Sequence, residues 1–328
     1  AVYPGKDYAG EVIVADIGFP KKALEMVSPD TFTFDESQIS YYMPERREYS
    51  NKGDFGKILI IAGSEEMCGA SFLSALAAYR TGGGLVRLFV PEANRQSLQN
   101  LLPEAILTTY GDSTDKAISK VTADKLEKAV KEWAAAIVIG PGLGLTKRSK
   151  SLVDKTLEIS EVRTVIDADG LTLFREIVEE REKRNFNPVK DMKKNYILTP
   201  HIKELADLLY LPKEEVKENI VQIAKELKCC NGEIVIKEAR TLVTGSGKCY
   251  INNSGNSGLA KAGSGDVLTG ILAALIATEK QRPFMVTPLG VYIHGLAGDM
   301  LKEKKGKYGI IARELADEVA EVMKRYSD

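Results

Sequence analysis

Gly263-Ser264-Gly265-Asp266 stands directly before an apolar run that reads as a helix from Val267 to Thr278. Small residues let backbone N–H groups crowd around an anion, and the start of a helix adds the positive end of its dipole. A carboxylate placed there, kept ionised by the dipole, can take a proton from a hydroxyl lying beside a bound phosphate. The competing reading is an Asp that merely caps the helix, and the tetrapeptide alone does not separate the two.

Other residues with chemistry follow apolar runs. Gly63-Ser64 and then Gly69-Ala70-Ser71 open a helix whose small residues admit a ligand, although close helix–sheet packing asks for the same residues. Gly140-Pro141-Gly142-Leu143-Gly144 follows a strand and can wrap a phosphate or a planar ring. Its spacing is not the GxGxxG of dinucleotide-binding dehydrogenases, which disfavours a nicotinamide dehydrogenase of ordinary type. Asp167-Ala168-Asp169-Gly170 puts two carboxylates at another strand end, with Asp169 a candidate to face a substrate or a metal-bound phosphate; Asp-Gly is also a common turn. Thr199-Pro200 begins a further helix and sets His201 at the mouth of the sheet, as a ligand contact or a structural residue. Lys237-Glu238-Ala239-Arg240-Thr241 forms either a wall of a nucleotide site or a hairpin with solvated charges.

The elements that position these residues alternate. Ile58–Gly63, Leu85–Val90, Ala136–Gly140, Thr164–Asp167, Tyr196–Thr199 and Ile234–Lys237 are short continuous apolar runs separated by helical stretches such as Ala70–Arg80 and Leu205–Leu209. Such runs predict an α/β fold: a mostly parallel sheet covered by helices on both faces. Ligands of such sheets collect at the carboxyl ends of the strands, where the residues above fall. Gly10–Gly18 reads as a strand without partners of its own, residues 28–51 as a linker or surface-hugging arm, and Arg175–Lys194 as a solvated helix and loop. No repeat of fixed period is visible.

Composition bounds the rest. With 328 residues, 44% of them hydrophobic, the chain can bury a large core, so disorder is not its main state. A net charge of -1 gives no overall basic field, which argues against a nucleic-acid partner. No apolar run approaches the roughly 20 residues that span a bilayer. Cys68, Cys229, Cys230 and Cys249 lack paired metal spacing and fit a reduced compartment, so a cytoplasmic protein is expected; two histidines make a His-rich zinc site improbable. The abundance of Lys and Glu is compatible with a thermophilic source.

Taken in order, Lys52-Gly53-Asp54-Phe55-Gly56-Lys57, Gly69-Ala70-Ser71, Gly140-Pro141-Gly142-Leu143-Gly144, Asp167-Ala168-Asp169, Thr199-Pro200-His201, Lys237 to Thr241, Gly255-Asn256 and Gly263-Ser264-Gly265-Asp266 resemble the ADP/ATP-dependent NAD(P)H-hydrate dehydratase family, over roughly residues 35 to 325. The resemblance implies a ribokinase-like fold and, as substrate, hydrated NADH or NADPH. The nucleotide phosphorylates the ring hydroxyl, and elimination of phosphate restores the double bond. Carried over residue by residue, it implies Asp266 as catalytic base. Nucleotide contacts would come from Lys237, Glu238, Ala239, Arg240, Thr241, Asn256, Gly263, Ser264 and Gly265, and substrate contacts from Ala70, Gly142, Gly144, Asp169, His201 and Asp266. ADP or ATP is the expected co-substrate with Mg²⁺, no residue being assigned to the metal, and a homo-oligomer is expected, with a tetramer as one form.

Residues 1–27 resemble the residual tail of an NAD(P)H-hydrate epimerase domain, from which no epimerase activity is expected, and 28–328 the dehydratase domain. The family usually has Pro-Gly where Ile202-Lys203 stand here, and Thr or Gly where Lys261-Ala262 precede the turn, so that Lys261 could add charge near phosphates. Two other readings stay open: a ribokinase-like kinase of a small molecule such as a vitamin precursor, and a non-catalytic nucleotide-binding sensor.

Overall fold

The computed structural model describes residues 5–13, 15–27, 29–181, 187–190, 192–279 and 283–327. Among them, ten strands join in one sheet: β1 (Thr31–Phe32), β2 (Lys57–Ile61), β3 (Leu85–Pro91), β4 (Ile106–Tyr110), β5 (Ala136–Ile139), β6 (Thr164–Ile166), β7 (Tyr196–Leu198), β8 (Glu233–Ile236), β9 (Leu242–Gly245) and β10 (Lys248–Ile251). Their spatial order is β1-β10-β9-β8-β7-β6-β5-β2-β3-β4, and only β9 runs against its neighbours. The chain leaves β2 toward β3 and β4, then returns to lay β5 on the other side of β2. That reversal opens a crevice at the carboxyl ends of β2 and β5, where sheets of this kind bind ligands.

The strands read as unbroken apolar runs because both faces are covered. Ile58, Ile60, Val86, Leu88 and Val138 pack on one face with the helices Cys68–Arg80, Ser264–Thr278, Pro283–Lys305 and Ala312–Ser327. Leu59, Ile61, Phe89, Ile137 and Ile139 point the other way, against Leu126, Leu152, Phe174 and Leu205. The small residues opening the Cys68–Arg80 helix do serve packing: Ala70 and Ser71 are buried, and the Ser74 hydroxyl meets that of Thr269 at 3.1 Å in the Ser264–Thr278 helix.

Four expectations need correction. The described residues of Gly10–Gly18 form no strand, and Val12, Ile13 and Ile17 are exposed, because no strand offers them a ladder; Val14, like Tyr3 and Pro4, lies outside the described residues. Residues 28–51 are more than a surface arm. Thr31 and Phe32 pair with Cys249 and Tyr250, and Phe34 and Ile39 enter the core. The segment Arg175–Lys194 is not solvated throughout: its helix ends at Arg181, and Val189 and Met192 are buried, residues 182–186 and 191 lying outside the described ones. The helix expected from Val267 begins earlier, at Ser264.

Candidate active site

Past the last residue of each central strand, the ladder continues for one more rung. Gly140 N–H donates to the Ile61 carbonyl (3.1 Å), Asp167 N–H to Ile139 (3.1 Å), Thr199 N–H to Ile166 (3.1 Å) and Lys237 N–H to Pro200 (2.8 Å). These rungs bring the residues after β5, β6, β7 and β8 side by side at the mouth of the sheet. Gly140 adopts φ +119°, and a Cβ there would lie 2.1 Å from the Asp167 carbonyl, so only glycine lets the two turns meet.

On the β2–β5 side, a Cβ on Gly142 would lie 2.9 Å from that of Ala70, whereas one on Gly144 would meet Thr146 Cγ2 at 3.9 Å. Asp169 accepts a hydrogen bond from Gly144 N–H at 2.8 Å, which braces the glycine turn on the first residue of the Asp169–Arg181 helix. Between the two carboxylates Ala168 is held at φ +50°, a left-handed conformation that costs a non-glycine residue of order 1 kcal/mol. Ala70, Gly142, Gly144 and Asp169 therefore form one wall of the crevice.

His201 has a structural role. It is the N-cap of the Ile202–Leu209 helix: its Nδ1 accepts from Glu204 N–H at 3.1 Å, while Glu204 Oε2 accepts from His201 N–H at 2.8 Å. With Nδ1 accepting, Nε2 is the ring nitrogen left to donate; it lies 3.5 Å from Glu204 Oε1, and half of the side chain is exposed. This reciprocal cap uses neither Ile202 nor Lys203, which explains how the turn closes without Pro-Gly.

The centre of the site is a cluster of charges. Lys237 Nζ donates to Asp167 Oδ1 at 2.5 Å, the carboxylate being 2% exposed. A Cβ added to Gly265 would lie 3.5 Å from Asp167 Oδ2 and 3.6 Å from Lys237 Nζ, so this ion pair abuts the first turn of the Ser264–Thr278 helix. Burial works to lower the Lys237 ammonium, but the charges of Asp167 and Glu204 outweigh it and hold the group above its ordinary value. Burial in turn pushes the Glu204 carboxyl up, against the pull of Lys237.

Asp266 sits in that first turn. The N-cap is Gly263, at φ +88°, which has no side chain to offer, so Asp266 is not the capping residue. Nor does the helix dipole keep it ionised as expected. Burial first, and the charge of Asp167 second, raise its carboxyl to about 7 against the opposing effect of Lys237. A carboxylate poised near neutrality suits a proton acceptor.

Of the other nucleotide candidates, Gly263, Ser264 and Gly265 form the turn, and Glu238 to Thr241 make the β8–β9 hairpin loop that begins at Lys237. The hairpin reading of that loop thus holds. Asn256 faces elsewhere: its Nδ2 donates to the Gly298 carbonyl and Asp299 Oδ1, and its Oδ1 accepts from Gly258 N–H. Lys261 is also drawn aside, donating to the Tyr308 carbonyl.

Sequence reading alone missed Asp167 as the buried partner of Lys237, Glu204 as its neighbour, and His294, whose Nε2 lies 3.0 Å from the Ser264 carbonyl. Burial lowers that imidazole to about 4, which leaves it neutral and able to donate to the turn. The apolar strand directly before Asp167 was the available signal for its burial; His294, inside an apolar helix, gave none.

A parallel-sheet crevice, a glycine turn at a helix start and a carboxylate beside it define a ribokinase-like enzyme architecture. A ribokinase-like superfamily protein from Enterococcus faecalis superposes with a TM-score of 0.77 and 26% identity, covering 91% of this chain and 97% of that one. The sequence model of NAD(P)H-hydrate dehydratase matches residues 58–321, and the chain belongs to that family. The ADP/ATP-dependent NAD(P)H-hydrate dehydratase of Bacillus subtilis, crystallised with ATP and Mg²⁺, is 30% identical with a TM-score of 0.73, covering 89% of this chain and 97% of its own. A bifunctional NAD(P)H-hydrate repair enzyme of Thermofilum pendens is 32% identical over 99% of this chain, which spans 62% of that relative's length.

Among the described residues, no three His, Cys, Asp or Glu side chains gather into a metal cage, and no helix is long and apolar enough to cross a membrane. Mg²⁺ commonly rides on nucleotide phosphates with much of its water retained.

Proposed function

We propose that this chain returns hydrated NADH and NADPH to NADH and NADPH, at the expense of ADP or ATP. The observation that carries the reading is Asp266: a carboxyl held at about 7, in the first turn of a helix, beside the Lys237 ammonium and the open glycine turn. In the first step Asp266 takes the proton of the ring hydroxyl as the hydroxyl oxygen attacks the terminal phosphorus, and the bond from that phosphorus to the bridging oxygen breaks, releasing AMP from ADP or ADP from ATP. The backbone N–H groups of Gly263 and Gly265 and the Lys237 ammonium face the charge that develops on the transferred phosphoryl group, the Ser264 N–H being donated to the Lys261 carbonyl. Mg²⁺, when bound with the nucleotide, offsets phosphate charge. In the second step the carbon–oxygen bond breaks, phosphate leaves with the electron pair, and loss of a proton from the neighbouring carbon restores the double bond. Hydroxide is a poor leaving group and phosphate a good one, which is why an architecture suited to phosphoryl transfer can serve a dehydration.

The β2–β5 wall, with Ala70, Gly142, Gly144 and Asp169, and the Nε2–H of His201 are proposed to receive the dinucleotide hydrate. The β8–β9 loop from Lys237 to Thr241 is proposed to receive the nucleotide. Asn256 supports the second region by fastening its loop to the Pro283–Lys305 helix. The segment before residue 28, exposed where described, is proposed to be the tail of a preceding epimerase domain; homo-oligomeric assembly in the cytoplasm also belongs to this proposal.

Recovery of absorbance near 340 nm from hydrated NADH, with ADP and ATP in parallel, tests the reaction. Restored dihydronicotinamide with inorganic phosphate is expected; a stable phosphorylated alcohol would instead make this a kinase, and nucleotide binding without phosphate release a sensor.

A further inference from the structure

We propose that Asp167 is a positioning residue: through its ion pair it holds the Lys237 ammonium against the first turn of the Ser264–Thr278 helix, as the fixed cation that Asp266 and a transferred phosphoryl group both face. The proposal rests on the reaction proposed above for its kinetic consequences, but its geometry stands apart from that reading. Asp167 is too enclosed to meet a ligand, and its backbone is gripped on both sides, N–H to the Ile139 carbonyl and carbonyl from Gly170 N–H at 2.9 Å. Lys237 is the opposite kind of residue, a point charge on a four-carbon stem that can reorient. Its side chain is about a quarter exposed, so the ammonium opens on the site, and one bond of 2.5 Å to a rigid carboxylate fixes where.

The arrangement around Asp266 makes the consequence readable. The charged groups that act on Asp266 are Asp167 after β6 and Lys237 after β8; Lys237 also feels Glu204 of the Ile202–Leu209 helix, His294 of the Pro283–Lys305 helix lies neutral at the Ser264 carbonyl, and the Cys68–Arg80 helix brings the neutral Ser74 hydroxyl to Thr269. Asp167 and Lys237 act on Asp266 with opposite sign, the first raising and the second lowering its proton affinity. Without the Asp167 charge, the freed ammonium has two other carboxylates to lean toward, Asp266 and Glu204. The direct charge effect of Asp167 moves this titration whatever Lys237 does, so the positioning role is read from kcat at pH above the Asp266 titration, which a purely structural ion pair would leave alone.

The test uses the full chain with Asp167→Asn, Lys237→Gln and the double variant. Carbon-13 NMR of labelled aspartate, with the Asp266 signal identified by Asp266→Asn, follows its titration without any substrate. Asp167→Asn is expected to move it down by roughly one pH unit and Lys237→Gln to move it up. In the hydrate assay the acid limb of kcat should follow the same two directions, with kcat at pH above that limb reduced roughly tenfold or more in Asp167→Asn and KM for the hydrate within about twofold.

The double variant leaves neither charge unpaired, and its kcat should match that of Lys237→Gln. An unchanged kcat at pH above the Asp266 titration in folded Asp167→Asn overturns the proposal. If Asp167→Asn does not fold, a kcat in the double variant tenfold below that of Lys237→Gln overturns it instead. Titrations that move as stated in a chain that turns over no hydrate would sink the reaction and the positioning role with it, whereas in a chain that turns hydrate over the unchanged kcat sinks the positioning role alone.

Discussion

Asp266 and His201 each carry two readings that substitution separates. Asp266→Asn keeps shape and removes the proton acceptor, so turnover should fall by roughly two orders of magnitude or more, with nucleotide affinity retained. In the unchanged chain kcat should rise with pH through about 7, since the ionised form is the acceptor. Stability runs the other way. A folded-state value raised above the ordinary 3.8 favours the neutral form, so this contribution is complete below 3.8 and is lost as pH rises through about 7. Asp266→Asn should therefore melt higher than the unchanged chain at pH 8, by roughly a few degrees, with the gap closing toward pH 4. A rate within twofold of normal in that variant would reject the base. For His201 the informative change is to Asn, which caps a helix well but lacks the Nε2–H. Hydrate KM should rise about tenfold with the melting temperature and nucleotide affinity held, whereas His201→Ala should also lose about 1 kcal/mol of cap. Equal loss of both affinities would show that the two ligands are not divided between His201 and the β8–β9 loop.

At the scale of elements, the parallel strands were legible because each is an unbroken apolar run followed by small or charged residues. The strands that escaped lack that signature. Ile106-Leu107-Thr108-Thr109-Tyr110 forms edge strand β4, where two threonines interrupt the apolar run and Ile106 is exposed, and β1 is two residues long. The convergence of the strand ends was legible too, but not the pair Asp167–Lys237, whose partners stand 70 residues apart and meet only through the register of β6, β7 and β8. The turn before the Ser264–Thr278 helix shows how alike residues differ in what they are for. Gly263 needs φ +88°, and its Cβ would lie 2.7 Å from both Ala312 Cβ and Leu73 Cδ1; Gly263→Ala should cost about 1–3 kcal/mol in urea unfolding. Gly265 needs no such conformation, and its Cβ would meet Asp167 and Lys237 at ordinary contact distance. Gly265→Val should therefore fold while placing bulk where the phosphates approach, and its nucleotide Kd by calorimetry should rise at least about tenfold. An unchanged Kd would move the anion elsewhere.

For the whole molecule, the question is what holds the far edge of the sheet that carries the β8–β9 loop. β9 and β10 run beyond the parallel core, and β10 is flanked by only two residues of β1. The chain compensates with aromatic packing: Phe34 lies 5.0 Å from Tyr250, 5.2 Å from Tyr42 and 5.8 Å from Tyr292, centroid to centroid, and its carbonyl accepts from Asn253 Nδ2 at 2.9 Å. This arm thus joins β10, the Pro283–Lys305 helix and the loop leading to Asn256 into one cluster. The residues before it behave differently, with Tyr8, Ile13, Ile17 and Met26 all exposed. Removing residues 1–27 should leave urea unfolding within about 0.5 kcal/mol of the full chain, because the apolar groups described there stay in water. Phe34→Ala should instead cost about 3–5 kcal/mol, as expected for a buried aromatic whose cavity cannot close, and nucleotide affinity should weaken with it as the edge loosens. The same unfolding series decides the boundary: a loss on truncation comparable to that of Phe34→Ala would place the exposed segment within the cooperative unit and shift the domain limit toward the start of the chain.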